Sequence, residues 1–469
     1  MRLSGALLAA ASGLIGSPWK TRGRVALAAL FTLSAALTIF PELAAAAWKE
    51  RTVVSSAHQV GQLTAAVSGD REVIGWAEGP DDIALFDSSS HAAGGRRGAY
   101  VAVRRRGNSR FGRAHRLTGA SVRGLELAEA ADGTILAAWL TGRRKLQVAW
   151  RLPARGWTDP ATLASRAIMF PSSRVSVALA PEGTGLIAWL RGSDSNRAVE
   201  MAAVGDPGEV GPTQRLAEGP EVGPFVPAVD ATDEGVGIVA WSGRCPIDGT
   251  PAYPAMAATT RDGAVLGPPE AIPESECPTA GLDAEIDGDG SALVLLDGKA
   301  FDRSRIRAAF KSQSSTTFGP AREISGGVSS SSGQLAGSAA SSALAVWDAS
   351  AGGHKRAVVA AWSSGGGIFG SPQTLGRLRG SPELAASSSG NAAAVWQTPS
   401  LRIAVLPVCA DGAVGVQLTV SRKLLRQTLA LPEVAVTGSR ALVTWAKPAP
   451  KGRYRGIVAA RGPISCAPS

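Results

Sequence analysis

Charge and aromatic residues are both scarce in this chain. Of its 469 residues only 18% are Asp, Glu, Lys or Arg, and Phe, Trp and Tyr together make 5%, with three tyrosines. So little charge excludes long exposed or coiled-coil helices, which are written in Glu, Lys and Arg. The short basic clusters at 104–106 and 143–145 have no aromatics interleaved for stacking on bases, so no nucleic-acid partner is expected. Four histidines (His58, His91, His115, His354) are dispersed, and no two of the four cysteines stand in C-x-x-C spacing. A zinc centre therefore has no ligand set, and neither metal nor cofactor is expected. No G-x-S-x-G nucleophile motif occurs, and no catalytic residue is assigned. The apolar run at 25–40 has 16 residues, short of the ~20 that cross a bilayer comfortably.

What is present begins with 56 glycines, 29 prolines and 45% apolar residues, a composition that suits many short strands joined by tight turns. Lys20, Arg22 and Arg24 precede the run at 25–40, and Pro41 and the small residues Ala44 to Ala47 follow it. That order reads as residues 1–47 being a signal peptide, cleaved near Ala46 or Ala47. A second apolar stretch at 3–15 keeps an uncleaved signal anchor as the alternative, and with it the only membrane contact expected. Removing 1–47 takes away four basic residues and Glu42, which lowers the net charge from +10 to +7. Such a protein is expected to be secreted or to rest against an anionic cell envelope. In that oxidising compartment, Cys245, Cys277, Cys409 and Cys466 are expected to form two disulfides.

The strongest signal is an apolar burst ending in tryptophan. It recurs at Trp76, Trp139, Trp189, Trp241, Trp347, Trp396 and Trp445, with gaps of 63, 50, 52, 106, 49 and 49 residues. The double gap divides at Leu296, so one repeat carries Leu in place of Trp and the units number eight. A fixed period of this size marks supersecondary units that bury their apolar faces only against one another. Each unit contains four strand candidates separated by Gly, Ser, Asp and Pro. The second, as in Ile135-Leu136-Ala137-Ala138-Trp139, is apolar without alternation and must be covered on both faces. Ile135, Ala137 and Trp139 share one of those faces, and Leu136 and Ala138 the other.

Four-stranded sheets packed face to face and closed on themselves make a β-propeller. We therefore expect an all-β protein with one domain over 48–469, of eight blades, with seven as the alternative, and a monomer. The last unit lacks a fourth strand, while 49–56 form an orphan strand, so the N-terminal strand is expected to complete the last blade. Strand order also sorts the cysteines: Cys245 and Cys277 fall on one face of one unit, and Cys409 and Cys466 each follow a third strand in neighbouring units. The pairs Cys245 with Cys277 and Cys409 with Cys466 follow from that placement.

The array resembles secreted β-propeller repeat proteins, including the sialidase-like group whose blades carry the box S-x-D-x-G-x-x-W. Here Asp132-Gly133 precedes Trp139, but six positions separate Gly133 from Trp139 where the box has three. The resemblance thus implies architecture and carries over no active site. The segment Asp283-Ala-Glu-Ile-Asp287-Gly-Asp289-Gly clusters carboxylates around glycines as a calcium loop does, but it lacks the D-x-D-x-D-G order and reads as a turn between first and second strands. The one long interruption follows Trp76. Its residues Asp81, Asp82, His91, Arg96 and Arg97, with Asp87, are the candidate ligand contacts, a disordered insertion being the alternative. The function expected is a non-catalytic binding or scaffold protein for a protein or glycan ligand. The alternative is a carbohydrate-active hydrolase of sialidase-like architecture, which would need carboxylates converging at the channel mouth.

Overall fold

The computed structural model describes residues 48–466, except 80–97, 168–174, 246–251, 261–265, 351–355, 425–431 and shorter breaks of one to four residues. The expected leader at 1–47, the loop carrying Asp81, Asp82, Asp87, His91, Arg96 and Arg97, and Cys277 lie outside the described residues.

Every described element is a β-strand. After β1 (Arg51–Val54), four strands form an antiparallel sheet in chain order: β2 (Gln59–Ser68), β3 (Arg71–Gly79), β4 (Gly98–Arg105) and β5 (His115–Thr118). The next sheet runs β6 (Val122–Glu129), β7 (Ile135–Thr141), β8 (Lys145–Leu152), β10 (Ala161–Ser165), with the two-residue β9 (Gly156–Trp157) also on β8. The same order repeats in β11 (Ser176–Leu179), β12 (Gly185–Gly192), β13 (Arg197–Val204), β14 (Gln214–Gly219), and again in β15 (Ala228–Ala231), β16 (Gly237–Trp241), β17 (Met256–Thr260), β18 (Glu270–Ala271). It continues in β19 (Pro278–Ile286), β20 (Ala292–Ala300), β21 (Arg303–Lys311), β22 (Arg322–Glu323).

The following seven strands form one hydrogen-bonded sheet: β23 (Ser330–Gly337), β24 (Ala343–Ser350), β25 (Arg356–Ser363), β26 (Gln373–Ala386), β27 (Ala392–Gln397), β28 (Ile403–Val408) and β29 (Leu418–Thr419). The sequence reading has separate strands at 369–375 and 382–386; the structure runs them together as β26, whose first half pairs with β25 and second half with β27. Gly380, at φ 96°, and the register shift after Arg379 bend the strand from one group of four into the next without breaking it. The last sheet has the order β1, β32 (Arg453–Pro463), β31 (Arg440–Ala449), β30 (Glu433–Thr437). The molecule is thus all-β, β-propeller-like, and built of repeated four-stranded antiparallel groups.

The tryptophans explain why these groups stack. Along β7 every residue is buried. Ile135, Ala137 and Trp139 pack with Val73, Ala99 and Val101 of the preceding sheet, while Leu136, Ala138 and Leu140 pack with Ile187 and Trp189 of the following one. Trp347 lies likewise against Leu293 and Leu295, and Trp396 against Leu344 and Val346. Leu296 sits against Ile238 and Ala240, in the place a tryptophan takes elsewhere. Trp76, with Ile74, packs on Leu442, Ala446 and Ile457 of the last sheet. The first strands touch in the cyclic sequence β2, β6, β11, β15, β19, β23, β26, β30 and back to β2.

Candidate functional site

A first strand shows one edge that no strand of its own sheet covers, and its N–H groups need other acceptors. Polar side chains on neighbouring first strands supply them. The Asp230 carboxylate accepts from the Ile286 N–H at 2.8 Å through Oδ2 and from the Ala231 N–H at 2.8 Å through Oδ1. Asp283 accepts from Leu335 N–H at 2.9 Å and from Ala284 N–H at 3.0 Å. Gln334 Oε1 accepts from Leu384 N–H at 2.6 Å, and Gln62 Oε1 from Leu125 N–H at 2.7 Å. Asp283 and Gln334 hold one register position, which polar residues share in several other first strands. Ser176, Glu126, Asp283, Gln334, Glu383 and Glu433 each pair with the residue just before the tryptophan position on the second strand.

Burial pushes the Asp230 carboxyl up to about 6, against the lowering by its backbone donors Ile286 and Ala231. Burial raises Asp283 as well. Glu285 is raised well above the usual carboxylate range by burial and then by the charges of Asp230 and Asp283, and it shares a hydrogen bond with Asp230. Two of these carboxyls, Asp283 and Glu285, come from the carboxylate-rich segment Asp283 to Gly290. Asp283 and Glu285 prove to be strand residues of β19, and only Asp287 to Gly290 form the turn, where Asp289 Oδ1 accepts from Ser291 N–H at 2.7 Å. Among the described residues no three of His, Cys, Asp and Glu are grouped as a metal site requires.

A second acidic pair stands at the far ends of β20 and β24. Buried Asp297 accepts from Ser332 N–H at 2.9 Å through Oδ2, and its Oδ1 has no hydrogen-bond partner in the structure. Burial pushes this carboxyl up to about 6, and the charge of Asp348 adds to the rise. Asp348 in turn is paired with Arg356 and accepts from Ser331 Oγ at 3.2 Å.

One concavity among the described residues is of the other sign. A cleft of ≈ 340 Å³ is lined by Arg144, Arg191, Ser193, Asn196, Arg215 and Glu218. Arg144 belongs to the β7–β8 connection, Ser193 and Asn196 to the β12–β13 connection, and Arg215 and Glu218 to β14. Those connections lie at the strand ends where β3 leaves for 80–97 and β4 returns. Beneath the cleft, Glu200 is 3% exposed; its Oε1 meets Arg191 at 2.9 Å and Arg215 at 3.4 Å, and its Oε2 accepts from Trp189 Nε1 at 3.1 Å. Arg144 donates to the carbonyls of Ala167 and Gly192 at 3.1 and 2.6 Å. Planar guanidinium forks held in this way suit carboxylate, sulfate or phosphate oxygens.

Cys409, after β28, is bonded to Cys466, after β32, with Cα atoms 6.0 Å apart. The other pairing named from sequence involves Cys277, which is not described. The sequence reading missed the clasps and the cleft. The clasps leave a trace once their register is known: an acid or amide recurs before an apolar pair in Leu125-Glu126-Leu127-Ala128, Gly333-Gln334-Leu335-Ala336, Pro382-Glu383-Leu384-Ala385 and Pro432-Glu433-Val434-Ala435. The cleft leaves none, because Arg144 and Arg215 are 71 residues apart and meet only through sheet stacking.

No family model matches the chain, and no curated protein matches it by sequence. Among solved structures, the BP39L lectin from Burkholderia pseudomallei is similar over 74% of this chain and all of its own, at 14% identity and a TM-score of 0.51. A protein of unknown function from Dyadobacter fermentans covers 89% of this chain at 9% identity, with 99% of its own length and a TM-score of 0.43. The polysaccharide lyase Uly1 covers 88% at 10% identity, with 91% of its own length and a TM-score of 0.43. At such identities the lectin comparison establishes the β-propeller-like fold alone.

Proposed function

We propose that the chain is an exported, non-catalytic binding protein of the cell envelope or extracellular space, folded as an eight-bladed β-propeller whose N-terminal strand completes the last blade. The observation carrying the non-catalytic reading is the engagement of the channel-side carboxylates. Asp230 and Asp283 each have both oxygens accepting backbone N–H groups, which commits these carboxylates to tying neighbouring first strands together and favours a structural role over that of a hydrolase acid or base. Support for the ring comes from the cyclic contacts of the first strands, from β1 pairing with β32, and from Trp76 packing on the last sheet. Fold-level analogy with a lectin makes a glycan the ligand class to test first.

The alternative hydrolase rests on Asp297, whose buried Oδ1 lacks a partner and whose carboxyl, pushed up to about 6, holds its proton into the mildly acidic range. A glycan array with the full-length protein, run beside an assay for released sugar ends, separates the two. Binding without product supports the binding protein; product that disappears in Asp297→Asn overturns it. N-terminal sequencing of secreted protein tests export, and an intact Met1 in a membrane fraction would replace the cleaved leader with an anchor.

A further inference from the structure

We infer that the Arg144–Arg191–Arg215 cleft is the ligand site and that its ligand is an acidic glycan, bound through carboxylate or sulfate groups. This rests on the binding reading above and adds the site and the chemical class. Three guanidinium groups line the cleft against the carboxylates of Glu200 and Glu218, which leaves one positive charge in excess. Glu200 is buried beneath the arginines, so it cannot itself meet a ligand. It fixes the arms of Arg191 and Arg215, whose side chains are 39% and 46% exposed and face water on their outer sides. Trp189, from the structural core, fixes Glu200 in turn. Arg144, at a left-handed φ of 60°, is held by two main-chain carbonyls, that of Ala167 and that of Gly192 at the end of β12. Arginines positioned this way lose little side-chain freedom on binding, which favours a specific fork contact over diffuse attraction. The volume lies at the low end of the ~300–1,000 Å³ typical of small-ligand sites. Ser193 and Asn196 add hydroxyl and amide groups at the rim, as a sugar requires.

The test is isothermal titration of the full-length protein with polygalacturonate fragments, dextran sulfate and neutral dextran. Binding of either anionic polymer and not of neutral dextran is expected, and the two anionic arms tell uronate from sulfate. Arg191→Ala with Arg215→Ala should weaken it roughly tenfold or more, as the loss of charged hydrogen bonds implies. Arg191→Lys with Arg215→Lys keeps charge and should recover only part, because the forks are gone. Arg110→Ala with Arg113→Ala, on the exposed connection between β4 and β5 at the opposite strand ends, should change nothing. Equal binding by the Arg191/Arg215 alanine variant, or an equal loss in the Arg110/Arg113 control, overturns the proposal. A neutral glycan bound equally by wild type and alanine variant would end this inference and leave the binding reading standing. Failure to bind any array glycan or protein would end both.

Discussion

Trp347 is fully buried between two sheets, and its Nε1 finds no acceptor in the structure. Its contribution is therefore packing, and Trp347→Ala should cost ~3–5 kcal/mol in urea unfolding. A cost below ~1 kcal/mol, that of an ordinary substitution, would show that the repeat position does not hold the sheets together. One register place away, the clasps contribute differently. Asp283→Ala strips acceptors from Leu335 N–H and Ala284 N–H, and an unsatisfied buried donor costs ~1–3 kcal/mol. The buried carboxyls also make stability depend on pH. Asp297, ordinarily near 3.8, is pushed up to about 6, so the fold binds its proton more tightly than the unfolded chain does. Its contribution is complete below about 3.8 and is lost as pH rises through about 6. Asp297→Asn, which keeps the oxygen that Ser332 N–H needs, should therefore be more stable than wild type at neutral pH and lose that advantage on acidification. Urea midpoints across this range check it; an advantage that grows on acidification would contradict the sign.

Among elements, the second strands are the most constrained, because each is buried on both faces. Their continuous apolar runs made them legible, and the division of β7 into a face with Trp139 and a face with Leu136 follows from strand alternation alone. β26 was read less well. The Gly376–Gly380 stretch looks like a turn, yet neighbouring strands on both sides accept its backbone, and pairing partners decide where a strand ends. The N-terminal strand β1 is held by its pairing with β32, by Glu50 accepting from Arg422 N–H at 3.0 Å, and by Arg51 donating to Ser109 O at 2.9 Å. The ring of Trp48 lies over Gly462, where a Cβ would come within 2.3 Å of the indole. Gly462→Ala should thus dislodge Trp48 and lower the melting temperature, and deletion of 48–57 should lower it further. A deletion variant melting with the wild type would show that β1 adds nothing to the last sheet.

For the whole molecule, the Cys409–Cys466 bond ties the end of the last sheet to its neighbour across 57 residues. Removing it with Cys409→Ser and Cys466→Ser should cost ~2–4 kcal/mol, chiefly by freeing the unfolded chain; unchanged stability under reducing and oxidising conditions would contradict this. The repeat, the strand count per unit, the doubly buried second strand and the Leu296 substitution were all determined by the sequence, because period and alternation are local properties that burial writes directly into residue type. Only the tertiary structure decided that Asp283 and Gln334 are clasps between first strands and that Glu200 holds Arg191 and Arg215 over Trp189. Those contacts join residues from different strands and sheets, and no spacing along the chain encodes which side chains face each other once the sheets are stacked.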